Sequence, residues 1–211
     1  MKKIKLFDII ADQQEIKELT KVIKNKFWAS GSGTGNVMKF ENNFKNYVNS
    51  KSCISVNSGT AALHLALSLF NIKNKEVILP SISFVSTAHA ILYNGGIPKF
   101  VDVDPNTLCI DPLEVEKAIT KKTKIILPVH LGGLSCNLEH LKSICKNNSL
   151  KLVEDAAHAS GSKYNGKRIG QHGDVVCFSF HPIKNLAMPS GGAITLNHKD
   201  WKKYEKILKT R

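Results

Sequence analysis

Apolar and polar positions follow two alternating patterns along the chain. Short runs that are apolar throughout are typical of strands buried on both faces, and they include SCISVN, EVILP, IPKFVDVD, KIILPVHL, KLVEDAA and DVVCFSF. Segments with helical spacing lie between them, among them GTAALHLALSLF, SFVSTAHAILYNG, DPLEVEKAI and NLEHLKSICKNN. Strands and helices in this order predict an α/β fold with a mainly parallel sheet between two layers of helices.

The two ends of the chain differ from this central pattern. Helical spacing at residues 12–26 and 40–48 flanks a glycine-rich loop at residues 29–36, whereas KYNGKRIG predicts a hairpin, GAITLN a strand and HKDWKKYEKILKTR a helix. We therefore divide the chain into an N-terminal helical segment with its loop, residues 1–48, and a large α/β domain, residues 49–211. Because nothing after Asn197 could build a second domain, we expect the large domain of a longer protein.

The charge is strongly positive, with 30 basic and 17 acidic residues and a formal net charge of +13. All the basic residues except Arg168 and Arg211 are lysines, and they are scattered without interleaved aromatic residues. Nucleic-acid binding proteins favour arginine forks and aromatic stacking, so we expect no nucleic-acid partner. The positive potential would still attract an anionic substrate.

The cysteines and the N-terminal residues indicate the cellular compartment of the protein. The five cysteines form no C-x-x-C pair and no metal-finger spacing, which favours reduced thiols and no structural metal. The apolar run near the N-terminus is broken by Asp8 and Asp12, and no stretch is long enough to span a membrane. We expect a cytoplasmic protein.

Lys184 is the most informative single residue, because it lies in a short loop between a buried strand and a Gly-Gly turn. In α/β sheets the ligand binds at the carboxyl ends of the strands, and this lysine follows such an end. A lysine held there favours Schiff-base chemistry with pyridoxal phosphate (PLP) over an ordinary exposed loop lysine.

The acidic pair Glu154 and Asp155 ends another predicted strand. Neighbouring side chains on a strand face opposite ways, so only one can face the pocket, and we choose Asp155 as the partner of a pyridine nitrogen. The alternatives are a solvated carboxylate or a metal ligand, and His158 is the only other ligand type close by. His158 itself could contact a cofactor or cap a loop.

Three further positions are open to two interpretations from the residues alone. Residues 58–60, Ser-Gly-Thr, precede a helix and form either a phosphate cradle or an ordinary helix cap, and they match no nucleotide-binding loop. Ser179 faces opposite to Phe178 and Phe180, so it can contact the same phosphate. Phe84 could stack on a planar ring, but by itself it indicates a core residue.

Several long motifs occur in one order: SGTAALHLAL, LPSISFVSTAHAILYNGGIPKFVDVDP, VHLGG, VEDAAHASGSKYNGKRIG and FSFHPIKN followed by GGAITL. This combination resembles the DegT/DnrJ/EryC1/StrS family over nearly the whole chain. The family comprises PLP-dependent sugar aminotransferases of fold type I, the aspartate aminotransferase fold. The resemblance implies PLP as cofactor and a PLP-binding large domain of this fold.

The resemblance also implies a role for each candidate residue. Lys184 matches the lysine that forms the internal aldimine and moves protons during amino transfer. Asp155 matches the partner of the pyridinium nitrogen, and His158 matches a position near the cofactor ring where the family has glutamine or histidine. Phe84 matches the aromatic residue that stacks on the ring. The phosphate-binding positions of the family match Gly59, Thr60 and Ser179.

The family's usual reaction moves an amino group from glutamate to a keto sugar linked to a nucleotide, in a homodimer whose partner subunit completes each site. Two departures stand out. Pro189 and Ser190 occupy the positions before the Gly-Gly turn, where the family commonly has an acidic residue. Family members also continue into a small C-terminal domain, so we expect this chain to be truncated.

Two alternatives remain beside the aminotransferase. In the family's dehydratase branch the aldimine lysine is replaced by histidine, and the presence of Lys184 disfavours that branch. His181 precedes the lysine without replacing it. The second alternative is a non-catalytic PLP-binding or regulatory protein of the same fold.

Overall fold

The computed structural model describes residue 9, residues 11–26 and residues 35–210 of the 211-residue chain. Most of the glycine-rich loop predicted at residues 29–36 lies outside the described residues. Its last two positions are helical, because they already belong to helix α2, Gly35–Val48. The predicted start of this helix at residue 40 is therefore wrong by five residues.

The core of the fold is a seven-stranded sheet with the order β1-β9-β8-β5-β4-β2-β3. Its strands are β1 Ser52–Val56, β2 Glu76–Pro80, β3 Ile97–Val101, β4 Thr123–Ile126, β5 Lys151–Asp155, β8 Val175–Ser179 and β9 Gly192–Leu196. Five neighbouring strands of the sheet pair in parallel, namely β8, β5, β4, β2 and β3. Strand β9 runs antiparallel to both its neighbours. The mainly parallel sheet predicted from the sequence is confirmed.

A two-stranded antiparallel hairpin, β6 Lys163–Tyr164 and β7 Lys167–Arg168, lies outside the main sheet. Its position matches the predicted KYNGKRIG hairpin. Strand β4 is shorter than the predicted run KIILPVHL, since it ends at Ile126. Pro128 follows two residues later and has no N–H to donate to a neighbouring strand, which ends regular pairing there.

The described helices are α1 Gln13–Asn25, α2 Gly35–Val48, α3 Gly59–Ser68, α4 Val85–Tyr93, α5 Pro112–Ala118, α6 Leu138–Asn147 and α7 Trp201–Lys209. Side chains of the type that favours helix starts cap several of them. Ser58 accepts the N–H of Ala61 at α3, and Asp111 accepts the N–H of Leu113 at α5. A 3₁₀ turn, Leu131–Gly133, follows β4.

The sheet separates two hydrophobic cores, because alternate residues of each strand face opposite sides. Ile78, Ile126 and Leu152 pack on the side of α2, α5 and α6. Val77 and Val153 pack on the side of α3, α4 and α7. Burial on both faces explains why these strands are apolar throughout rather than alternating.

The division at residue 48 stays a prediction. Helix α1 buries none of its residues, whereas α2 contributes Phe44 and Val48 to the core beside the sheet. Among the described residues, no helix is long and apolar enough to cross a membrane.

Candidate functional site

A pocket of about 450 Å³ lies at the carboxyl ends of the parallel strands. Its wall is formed by the segments that follow β1, β2, β4, β5 and β8. All seven residues singled out from the sequence line it, namely Gly59, Thr60, Phe84, Asp155, His158, Ser179 and Lys184. The structure therefore brings together residues that are separated by up to 125 positions in the sequence.

Asp155, the last residue of β5, lines the pocket and is 4% exposed. Each of its carboxylate oxygens accepts one hydrogen bond: the Thr87 hydroxyl donates to Oδ2 at 2.9 Å, and the Ala157 N–H donates to Oδ1 at 3.1 Å. Burial raises the pKa of Asp155, and these two bonds oppose the rise. The result is a buried, oriented carboxyl group that would be stabilised by a cationic partner in the pocket.

Glu154 faces the other side of β5, as strand alternation requires. Its side chain is fully buried, and Oε2 lies 2.8 Å from Nε2 of His130. Glu154 does not line the pocket, whereas Asp155 does. The choice of Asp155 over Glu154 therefore agrees with where the structure places the two side chains.

Lys184 lies in the loop after β8 on the pocket wall, and its backbone N–H donates to the carbonyl of His181. Partial burial lowers the pKa of Lys184, and the charge of Asp155 opposes this shift. A lower pKa increases the fraction of neutral amine, which is the nucleophilic form. This environment differs from that of an ordinary exposed lysine.

His158 is held by the 3₁₀ turn after β4. The N–H of Gly132 donates to its Nδ1 at 3.2 Å, so the ring proton lies on Nε2. Burial lowers the pKa of His158, and the charge of Lys184 lowers it further. A neutral imidazole can therefore donate a hydrogen bond from Nε2.

Residues 58–60 cap helix α3 and also line the pocket, so the two interpretations of this segment are compatible. Ser58 caps the helix through its hydroxyl, and the first-turn amides that follow it have no acceptor within the helix. A Cβ at Gly59 would lie 2.6 Å from the Cβ of Ser179, so only glycine allows this close approach. The cap thus brings amide groups and a serine hydroxyl to one end of the pocket, which suits an anion.

Phe84 corrects the interpretation made from the residue alone. Its side chain is 71% exposed and lies on the pocket wall, immediately before helix α4. It is not a core residue. An exposed aromatic ring beside Asp155 and Lys184 is instead available to a planar ligand.

Three further residues at or behind the site were not among the candidate site residues from the sequence. Thr87 orients Asp155 from helix α4, and His130 binds Glu154 behind the strand. Ser190 lies on the pocket wall and donates to the carbonyl of Asn57. A serine or threonine three residues into a helix next to a candidate aromatic residue is too common to indicate such a role.

The chemistry of the pocket is that of a site for an anionic, planar ligand. Among the described residues of its lining, Asp155 is the only carboxylate, and the lining also contains Lys184 and two histidines. The described part of the chain contains no group of three His, Cys, Asp or Glu residues that could hold a metal ion.

Comparison with known proteins agrees with this chemistry. Residues 10–211 match the model of the DegT/DnrJ/EryC1/StrS aminotransferase family. The chain is 40% identical over 189 residues to the spore coat polysaccharide biosynthesis protein SpsC of Bacillus subtilis, covering 89% of this chain and 48% of that protein. It is 41% identical over 188 residues to the dTDP-3-amino-3,6-dideoxy-alpha-D-galactopyranose transaminase of Aneurinibacillus thermoaerophilus, covering 88% and 51%.

Among solved structures, the PLP-form of the putative sugar aminotransferase Spr1654 from Streptococcus pneumoniae matches with a TM-score of 0.87 and 28% identity, over 96% of this chain and 56% of that one. A PMP-form of the same protein also matches. The chain spans about half the length of the curated relatives it matches.

Proposed function

Because the chain belongs to the DegT/DnrJ/EryC1/StrS aminotransferase family, we propose that it carries the cofactor site of a PLP-dependent enzyme that transfers an amino group from glutamate to a nucleotide-linked keto sugar. One observation carries this proposal. Lys184 and the buried Asp155 line the same pocket, which also holds an exposed aromatic ring and a helix start that suits a phosphate.

The residues present fit PLP. The cofactor carries an aldehyde, a pyridine nitrogen and a phosphate, and when bound it supplies an electron-withdrawing ring that makes a C–H bond next to the amino group acidic. The pocket offers an amine at Lys184, a carboxylate at Asp155, and amides with a hydroxyl at Gly59, Thr60 and Ser179.

Lys184 serves as the group that holds the cofactor and moves the proton. Its amine is partly desolvated, and the pKa of Lys184 is lowered by that burial, which favours the neutral form. A neutral Nζ can take a proton from a substrate carbon and return it to another position. The neighbouring backbone bond from Lys184 to His181 fixes the start of its side chain.

Asp155 serves as the anion that keeps a proton on a ring nitrogen. Burial raises the pKa of this carboxyl, so its charge is costly until a cation pairs with it. The bonds from Thr87 and Ala157 leave it in one orientation toward the pocket. A cationic ring beside this carboxylate would stabilise its buried charge.

Backbone amides and neutral side chains would bind the phosphate and the ring of PLP. The amides at the start of α3 and the hydroxyl of Ser179 would bind the phosphate, and the absence of a side chain at Gly59 permits their close approach. His158 would donate a hydrogen bond from Nε2 to the ring, and Phe84 would cover one ring face and exclude water from it.

The substrates follow from charge and from the relatives' names. A nucleotide-linked sugar is anionic, and the net charge of +13 favours its attraction to the protein. One relative is named for a dTDP-linked amino sugar. The glutamate donor and a homodimeric assembly are inferred from the family resemblance, and both belong to the proposal.

A glutamate half-reaction tests the proposal. The PLP-loaded protein mixed with glutamate is expected to convert the cofactor to its amino form, seen as loss of the visible absorbance band, and a nucleotide keto sugar is expected to reverse the change. Lys184→Ala should abolish both changes, whereas the exposed-lysine control Lys121→Ala should retain them. A PLP-loaded protein that does not respond to glutamate would contradict the aminotransferase proposal and favour a non-catalytic PLP-binding protein.

A further inference from the structure

A buried histidine–glutamate pair lies directly behind the cofactor pocket. The side chains of His130 and Glu154 are both 0% exposed, and Nε2 of the ring lies 2.8 Å from Oε2 of the carboxylate. The pair sits on the face of β5 opposite to Asp155. Neither residue lines the pocket, so the proposed chemistry does not use them directly.

The backbone determines where the proton of His130 lies. The N–H of Cys136 donates to Nδ1 at 3.1 Å, so that nitrogen carries no proton. The ring is therefore neutral and donates from Nε2 to Glu154. His130 accepts on one side and donates on the other, which locks its orientation.

Only one of the two carboxylate oxygens of Glu154 has a hydrogen-bond partner among the described residues. Its Oε1 is buried without a hydrogen-bond partner among the described residues, and a Cβ at Gly173 would lie 2.5 Å from it. Burying a carboxylate with one neutral donor is costly, and apolar residues of similar size would often be as stable or more stable. The pair is therefore weak evidence for stabilisation of the fold.

The segment anchored by the ring contacts both polar residues on the cofactor side. The N–H of His130 donates to the carbonyl of Asp155 at 3.0 Å. Two residues later, the N–H of Gly132 donates to Nδ1 of His158 at 3.2 Å. Residues 129–133 thus connect the buried pair to the carboxylate and the imidazole of the pocket.

We propose that His130 and Glu154 are positioning residues whose hydrogen bond holds residues 129–133 in place, so that Gly132 keeps the ring of His158 in its Nε2-protonated form toward the cofactor. The inference deepens the proposed function and rests on it for the identity of the ligand. The hydrogen bonds of the pair and of His158 join protein atoms only, so they can be tested without the ligand.

The chain offers a matched control at the opposite end of the sheet. His198 is also buried, accepts the N–H of Asp200 on Nδ1 at 3.1 Å, and has Nε2 2.7 Å from Nζ of Lys151. It is not among the residues that line the pocket. Replacing His198 by phenylalanine therefore removes a comparable buried network far from the cofactor.

The experiment compares the double variant His130→Phe/Glu154→Leu, the conservative Glu154→Gln, and His198→Phe. The double variant keeps apolar volume and leaves no lone buried charge, so it is expected to fold with a melting temperature near that of the unsubstituted protein. Its PLP dissociation constant should rise about tenfold, the effect that outer hydrogen-bond partners have at metal sites. Glu154→Gln still accepts from Nε2 and should retain tight binding.

A second readout needs no cofactor. In the apoprotein, the ¹⁵N shift of His158 Nδ1 should show an unprotonated nitrogen, and in the double variant it should move toward a mixture of the two ring tautomers. The control His198→Phe should lower the melting temperature while leaving both readouts unchanged. If the double variant does not fold, Glu154→Leu alone removes the acceptor and makes the same test.

Three results would overturn the inference. The pair is merely structural if its loss leaves PLP affinity and the His158 shift unchanged. The buried charge, not the hydrogen bond, holds the site if Glu154→Gln weakens PLP as much as the double variant does. If the unsubstituted protein fails to bind PLP, the proposed function falls, and an unaltered His158 shift in the double variant would then refute the positioning role separately.

Discussion

At the scale of single residues, the site depends on the carboxyl group of Asp155, whose buried charge is unfavourable until a cation binds beside it. The carboxyl is buried with two neutral donors, and burial raises its pKa above the ordinary value. A group with a raised folded-state pKa contributes stability that is present below its unfolded-state pKa and lost as pH rises through the folded-state value. At neutral pH the apoprotein therefore bears a penalty at this residue.

Asp155→Asn is expected to change stability and binding in opposite directions. The amide carries no charge, so the melting temperature of the apoprotein should rise at neutral pH, and the difference should shrink as pH falls through the raised pKa of the carboxyl. PLP binding should weaken because the cationic ring loses its partner. Thermal melts across pH and a PLP titration check both outcomes, with the exposed-residue control Asp102→Asn.

A variant that melts lower than the unsubstituted protein at neutral pH, or that binds PLP equally well, would contradict this account of Asp155. Equal effects in Asp102→Asn would show that the change reflects net charge alone.

At the scale of elements, the start of α3 combines stability with binding. Ser58 accepts the N–H of Ala61, and the next two residues, Gly59 and Thr60, line the pocket. Ser58→Ala is expected to cost about 1 kcal/mol in the free energy of unfolding and to weaken PLP binding as well. Asp111→Ala removes the cap of α5, far from the pocket, and should lower stability without changing PLP affinity.

Urea unfolding and PLP titration of the two variants provide the comparison. If Ser58→Ala loses stability yet binds PLP as tightly as Asp111→Ala does, the helix start takes no part in holding the phosphate.

Most elements were predictable because burial on both faces leaves a clear mark in the sequence. The apolar runs and the helical spacing placed the strands and helices, and the residues at strand ends fell on one pocket wall. The start of α2 was missed, since Gly35 has a positive φ of 62° and lies in a glycine-rich run typical of loops.

Contacts between distant residues could not be predicted in the same way. His130 and Glu154 are 24 positions apart, and their pairing depends on the register of β4 and β5 rather than on any local motif. Phe84 looked like a core residue because apolar character alone does not show whether a ring faces the interior or a ligand. Only the family resemblance indicated its place.

At the scale of the whole molecule, we propose that a second copy of the chain binds the outer face of α4. Leu92 and Tyr93 are largely exposed apolar side chains, and Val85 lies at the other end of the same helix. An apolar helix face beside the pocket fits the homodimer inferred from the family.

Leu92→Asp is expected to convert a dimer into a monomer, because a charge on this face is costly to bury in an interface. Sedimentation of the unsubstituted protein and the variant measures the change, and Leu113→Asp, on the exposed side of α5, is the control. A dimer that tolerates Leu92→Asp would place the interface elsewhere on the molecule.

Chemical trapping of the cofactor on the protein shows directly whether Lys184 holds PLP. PLP is added, the complex is reduced with borohydride, and the modified peptides are mapped by mass spectrometry. We expect one stoichiometric label on Lys184, which Lys184→Ala removes without a new label appearing at another lysine. A label spread over surface lysines, or none at all, would contradict a PLP site built on Lys184 and Asp155.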